Sequence, residues 1–321
     1  MNINFEIQKI RAARRRAGAA RQKGVSEEPM NPLGFIGFGE AAFHMASGLR
    51  EAGFEPIFAY DVMAEDPLMG PKIKERLKAA EVTGAGSLEE LIRASRYIFC
   101  AASAKVAVRI AEEAAPHLTA EHVYVDLNSG SPRMKKEIAR IVEAAGARFA
   151  DGAVMESVPP YRHKVPILAS GTGAAALQSA FAPYGMNITV VEGEPGSSSA
   201  VKMVRSIFMK GFTALLLETL AAAHRSGIEQ EIMDSIGRSL TSRPFEEYVN
   251  LLLTRTAIHA ERRVAEMGEV LETLADLELD GTMAQATRQK LQSLVDKDLK
   301  AKFGGEPPAH YKDVIREMTE N

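Results

Sequence analysis

The chain is expected to fold as an α/β domain with a doubly wound, mainly parallel sheet, followed by an all-α domain. Three observations carry that expectation. A G-x-G-x-x-A turn joins a short apolar strand to a helix at Gly37, Gly39 and Ala42. Strand and helix patterns then alternate as far as about residue 193. From residue 194 onwards only helical periodicity remains.

The first element, Leu33 to Ile36, is an apolar strand that runs into the glycine turn, and an amphipathic helix follows with Phe43, Met45, Ala46 and Leu49 on its apolar side. The residue types suit a dinucleotide: one glycine for the tight turn, a second for close approach of a pyrophosphate, and a small residue for helix–strand packing. A second apolar run, Pro56 to Tyr60, ends at Asp61. That acid lies about 20 residues beyond Gly39, where a carboxylate accepts hydrogen bonds from ribose hydroxyls. The expected cofactor contacts are Gly37, Phe38, Gly39, Glu40, Ala41, Ala42 and Asp61. No arginine directly follows Asp61, which favours NAD over NADP.

Further elements follow in order: a helix over 71–80, a strand over 81–86, and a helix opened by the capping box Ser87-Leu-Glu-Glu90. The apolar run 96–102 is a buried strand. A helix over 104–115, a strand over 122–127 and a helix over 131–145 complete the alternation. Strands over 147–155, 166–171 and 187–191 surround a helix over 173–182, and residues 156–165 read as a polar surface loop. Ligands bind beyond the carboxyl ends of such strands. Small residues there, Ala101, Ala102 and Ser103, suit packing against a nicotinamide-side ribose. The loop Asp126-Leu-Asn-Ser-Gly-Ser-Pro132 offers Asn128 and Ser129 either as substrate ligands or as ordinary turn residues.

The helix over 199–224 is apolar on most of its surface and is expected to be buried and central. Lys202 sits near its start, with Ser206 and Lys210 one and two turns further along the same face. Two readings of Lys202 stand on the residues alone. A desolvated lysine exchanges a proton with a substrate hydroxyl, whereas a lysine at a helix end snorkels to water.

The motifs together resemble the β-hydroxyacid dehydrogenase superfamily, which includes 3-hydroxyisobutyrate and 6-phosphogluconate dehydrogenases. GFIGFGEAAFHMASGLREAG looks like its cofactor turn, DLNSGSP like its substrate loop, and GEPGSSSAVKMVRS like its glycine-rich lead-in to the catalytic helix. The resemblance implies hydride exchange between a nicotinamide cofactor and a small anionic hydroxyacid, with Lys202 as general acid/base. Asn128, Ser129, Ser206 and Lys210 are then substrate contacts, and a homodimer is expected. Two departures stand out. Ser206 replaces the family's asparagine, and Met155-Glu-Ser157 stands where the family has Ser-Gly-Gly. These departures leave a non-catalytic cofactor-binding regulator as one alternative; an imine reductase, a related activity on the same architecture, is another, although imine reductases usually carry another proton donor at the lysine position, so Lys202 argues against it. The segment HAERRVAEMGEVLETLADLELDGTMAQAT resembles a branch whose C-terminal domain is known only as phosphogluconate-dehydrogenase-like. Within it His259, Arg262, Arg263 and Glu266 share a helix, and Arg262 and Glu266 are spaced to pair; the group either holds an anionic substrate, ties helices together or sits at a dimer face.

Composition bounds the rest. The 321 residues carry a net charge of −3, which supplies no basic field for nucleic acid. No apolar run approaches the roughly 20 residues of a bilayer span, so no membrane contact is expected. The single Cys100 makes no internal disulfide and suits a reducing, cytoplasmic compartment. The histidines show no metal-ligand spacing. Residues 1–30, with seven basic residues and no acid between Lys9 and Lys23, read as an extension ahead of the domains over 31–193 and 194–321. A basic helix for membrane or nucleic acid, or a transit-like leader, is the functional alternative.

Overall fold

In the computed structural model, residues 31–320 are described; the basic extension expected over 1–30 lies outside them. Among the described residues eight strands form one sheet: β1 (Leu33–Ile36), β2 (Ile57–Tyr60), β3 (Thr83–Gly84), β4 (Tyr97–Cys100), β5 (Val123–Asp126), β6 (Arg148–Val154), β7 (Ile167–Ser170) and β8 (Ile188–Val190). Their order is β3-β2-β1-β4-β5-β6-β7-β8. All neighbours are parallel except β6 and β7, which pair antiparallel through Asp151 to Val154 against Ser170 to Ile167.

The central strands are covered on both faces, as their unbroken apolar sequences demand. Phe35, Tyr97, Phe99, Val123 and Val125 enter one buried cluster. Their alternating neighbours Ile36, Ile98, Cys100 and Tyr124 enter a second. Flanking helices include α1 (Glu40–Glu51), α2 (Gly70–Ala79), α3 (Leu88–Ala94), α4 (Ala107–Ala114) and α5 (Pro132–Ala144). Residues 156–165 depart from the expected polar surface loop. Val158, His163 and Val165 are buried, and Arg162 pairs with Glu51 of α1. The two prolines sit in the first turn of a short helix, where a missing N–H costs nothing.

One compact unit ends at Arg205 and a second begins at Ser206, within the long helix α6 (Ser197–Ser226), whereas the alternation in sequence stops near residue 194. The second unit contains α7 (Glu229–Thr241), α8 (Phe245–Asp276), α9 (Thr282–Asp296) and shorter helices to Thr319. Its small core joins Ala257 and Ala260 of α8 to Leu294, Leu299 and Val314. Gly281 gives α9 no side-chain cap, and Glu218 of α6 supplies one: its two oxygens accept from Met283 N at 2.7 Å and Ala284 N at 2.8 Å. Arg262 and Glu266 form an exposed pair at 3.6 Å, beyond a break in helical geometry at His259.

Two expectations for α6 need correction. Val204, Ile207 and Leu217 are 67%, 75% and 69% exposed, so the helix is not buried within this chain. It is also long and apolar enough, by length and composition, to cross a membrane. Counting uninterrupted apolar runs misses this because isolated charges divide a segment whose mean hydropathy reaches 1.4. A soluble helix of this composition needs an apolar surface to lie against.

Candidate active site

The glycine turn sits where β1, β2 and β4 end together. Gly37 N donates to Tyr60 O at 2.8 Å, and Ala101 N donates to Ile36 O at 2.9 Å. Gly37 has φ +83°, and a Cβ there would lie 2.9 Å from Ala101 O. Only glycine meets both conditions. Gly39 is different: it opens α1, provides no side-chain cap, and a Cβ on it would meet nothing within 4 Å. The first-turn N–H groups of α1 therefore open onto space at the positive end of a helix, a ready anion site.

Beside the turn lies a cavity of about 470 Å³, lined by Gly37, Gly39, Asp61, Ala101, Ala102 and Ser103 among others. Six expected cofactor contacts thus meet around one space. Of the rest, Phe38 turns its ring into the core, edge-on to Phe35, leaving its backbone at the turn. Ala42 is buried beneath the helix, where a small residue is needed for packing. Glu40 and Ala41 stand in the first turn of α1. Asp61 also braces the turn itself. Its Oδ2 accepts from Phe38 N at 2.7 Å and its Oδ1 from Met63 N at 2.9 Å, so the acid ties the glycine turn to the end of β2. Part of the lining was missed in the sequence. Val106, Arg109, Ile110 and Glu113 belong to it, and their one-face helical spacing is the signal that would have found them.

A second cluster lies beyond β5 and β6. Lys202 Nζ donates to Ser129 Oγ at 2.6 Å, which brings together the lysine and the loop serine singled out separately in the sequence. Asn128 is placed otherwise. It is buried, and its amide nitrogen donates inward to Asp126 and towards Cys100 Sγ at 3.3 Å, so it serves the framework of the loop. Further along α6, Lys210 Nζ donates to Ser206 Oγ at 3.5 Å. Cys100 is sealed from solvent, and burial, followed by the Asp126 charge, pushes its thiol up to about 11. Such a thiol is inert at neutral pH.

A glycine turn at the carboxyl edge of a parallel sheet, an uncapped helix start and an adjoining cavity define a dinucleotide-binding protein of the doubly wound class. The sequence relations narrow this: the chain belongs to the family defined by the NAD-binding domain of 6-phosphogluconate dehydrogenase, which matches residues 32–193. A nicotinamide-cofactor domain is therefore present. Residues 223–294 match a domain of unknown function, DUF1932. Mitochondrial 3-hydroxyisobutyrate dehydrogenase of Mus musculus is 26% identical over 211 residues, covering 64% of this chain and 61% of that enzyme, less than two thirds of its length. The solved structure of a conserved protein of unknown function, described as similar to 3-hydroxyacid dehydrogenases, is 34% identical, covers 84% of this chain and 98% of that one, and has a TM-score of 0.56. An imine reductase of Streptomyces aurantiacus, at 18% identity, shares the fold with a TM-score of 0.69 over 90% of this chain and 100% of its own.

Proposed function

We propose that this protein is an NAD(P)-dependent dehydrogenase that interconverts a small anionic hydroxyacid and its carbonyl form, with Lys202 as general acid/base. The observation that carries the reading is the 2.6 Å hydrogen bond from Lys202 Nζ to Ser129 Oγ. It orients the amine by a bond donated to a loop hydroxyl within the sheet-bearing unit, from where the amine, once deprotonated, would take the proton of a substrate hydroxyl and later return it.

The residues present fit the cofactor. Open space above Gly39 and the uncapped start of α1 suit its pyrophosphate, and Asp61 suits the adenosine ribose. When bound, the nicotinamide supplies the acceptor or donor of hydride. The protein's share is to fix the two ends of the cofactor, hold Lys202 through Ser129, and move the proton. Asp61 and Glu113 both line the cavity, and Arg109, the one arginine lining it among the described residues, pairs with Glu113 at 3.6 Å. Those carboxylates disfavour a 2′-phosphate, which supports NAD over NADP. The exposed Val204, Ile207 and Leu217 of α6 support a homodimer in which a second copy covers them, to be measured by light scattering.

The test is a panel of small 3-hydroxyacids with NAD and NADP, run beside a panel of cyclic imines with NADH and NADPH. Oxidation of a hydroxyacid, faster with NAD, is the expected result. Reduction of imines without hydroxyacid turnover would assign the imine reductase alternative. Cofactor binding with turnover of neither would assign a regulator.

A further inference from the structure

Lys135 contradicts the pattern of its own helix. In α5 the buried positions are Lys135, Ile138, Ala139 and Val142, so the lysine occupies the first place of the apolar stripe. Its side chain is 0% exposed. A buried ammonium is tolerated only when its charge is paired. Lys135 Nζ donates to Asp126 O at 2.8 Å and forms ion pairs with Asp126 Oδ2 at 2.7 Å and Asp151 Oδ1 at 3.2 Å. Both carboxylates are themselves 0% exposed.

Each aspartate carries one half of the candidate site. Asp126 ends β5, and its Oδ1 accepts from the backbone N of Asn128 at 3.3 Å and from that residue's side-chain amide. Ser129 is the next residue. Asp151 lies in β6, and its carboxylate grips the first turn of α6: Oδ2 accepts from Ser199 N at 2.9 Å and Oδ1 from Ser199 Oγ at 2.7 Å. Its carbonyl accepts from Ser198 Oγ at 2.7 Å. Lys202 follows one turn further along that helix. One ammonium thus fastens both the loop that bears Ser129 and the helix start that bears Lys202. Two carboxylates against one ammonium leave a net negative charge, which the positive end of α6 offsets through Ser199 N.

We propose that Lys135 is a positioning residue for the reaction assigned above: through Asp126 and Asp151 it sets the spacing between Ser129 and Lys202. The inference rests on that functional reading for its catalytic consequence, but the clamp itself has a readout independent of turnover. Two variants test it. Lys135→Met removes the ammonium and leaves two buried carboxylates facing each other. The double variant K135M/D126N removes one positive and one negative charge together, so the clamp goes while the net buried charge stays. Both are assayed for NADH affinity by fluorescence, for thermal midpoint, and for the pH profile of Lys202 acetylation by peptide mass spectrometry, with exposed Lys136 as internal control.

The expected result is a double variant that binds NADH as the wild type does, acetylates Lys202 with a displaced pH profile, and leaves Lys136 unchanged. Its kcat should fall by about a hundredfold, the loss that a displacement near 1 Å produces, with little change in cofactor KM. A folded double variant whose Lys202 profile superimposes on the wild type overturns the proposal. So does loss of folding in both variants, which assigns the ammonium to stability alone. If no hydroxyacid is turned over by the wild type, the functional reading fails, while a displaced Lys202 profile still establishes the clamp.

Discussion

Lys202 Nζ and Ser129 Oγ stand 2.6 Å apart, although 73 residues separate them in sequence. The contact joins the first turns of a helix to a strand-end loop, so each group is oriented by an element it does not belong to. If Lys202 moves the proton, Lys202→Met should lower kcat by about 10²–10⁴-fold while NADH affinity is retained. Ser129→Ala leaves the amine in place and removes one hydrogen bond to a charged group, so its loss should be smaller, about tenfold. Steady-state kinetics with a parallel fluorescence titration separate the effects. Full turnover in Lys202→Met would refute the role.

The two glycines of the cofactor turn should respond to alanine in different ways. At Gly37 a methyl group meets Ala101 O at 2.9 Å in a backbone with φ +83°, so Gly37→Ala should lower both the thermal midpoint and cofactor affinity. At Gly39 a methyl group meets no protein atom within 4 Å. Gly39→Ala should therefore keep the wild-type midpoint and lose affinity, because the methyl stands where the pyrophosphate approaches. Calorimetry of each variant with and without NADH checks this. Unaltered NADH affinity in Gly39→Ala would place the cofactor elsewhere.

Much of this site is legible in the sequence because the chemistry restricts residue choice. A turn that admits a pyrophosphate needs Gly37 and Gly39, and an apolar strand that stops at Asp61 announces an acid at a strand end. Lys202 alone is ambiguous, and the motif around it carries its assignment. Lys135 is hidden because a charge on an apolar stripe reads as a break in the pattern; its partners Asp126 and Asp151 are distant in sequence, and only the pairing of β5 with β6 brings them together. The reversal at β7 is equally hidden. Ile167–Ser170 is apolar like its neighbours, and direction is set by the connection rather than by strand composition. The exposure of α6 escapes the sequence because apolarity states that a helix must be covered, without saying by what.

A close approach in α1 yields a stability prediction away from the chemistry. A Cβ at Gly48 would lie 2.1 Å from His163 Nδ1 and 3.1 Å from His163 N. His163 is buried and held by a contact from Nε2 to Tyr184 O at 3.1 Å, so the ring cannot simply swing away. Gly48→Ala should destabilise the protein by about 1–3 kcal/mol through overpacking, despite alanine's better helix propensity. Urea unfolding gives the value, and an unchanged midpoint would show that the packing of 162–164 on α1 is looser than the structure has it.

Cys100 links the core to alkaline stability. Burial raises its thiol from 9.0 to about 11, with Asp126 adding to the shift, so the folded state keeps the proton more firmly than the unfolded chain. Below the lower value both states are protonated and this group contributes no pH dependence. Between the two values the unfolded chain sheds its proton first, so stability is lost as pH rises through that window, by up to about 1.4 kcal/mol per unit. Other groups titrate there as well, among them buried Tyr124, whose hydroxyl is also shifted upwards by burial. The discriminating quantity is therefore a difference. Urea midpoints of the wild type and Cys100→Ala should converge as pH rises from about 9 to about 11, because only the wild type loses the thiol's contribution. Parallel curves would mean that the thiol ionises in the folded protein as readily as in the unfolded chain, and that the seal formed by β4 and Asn128 is open to hydroxide.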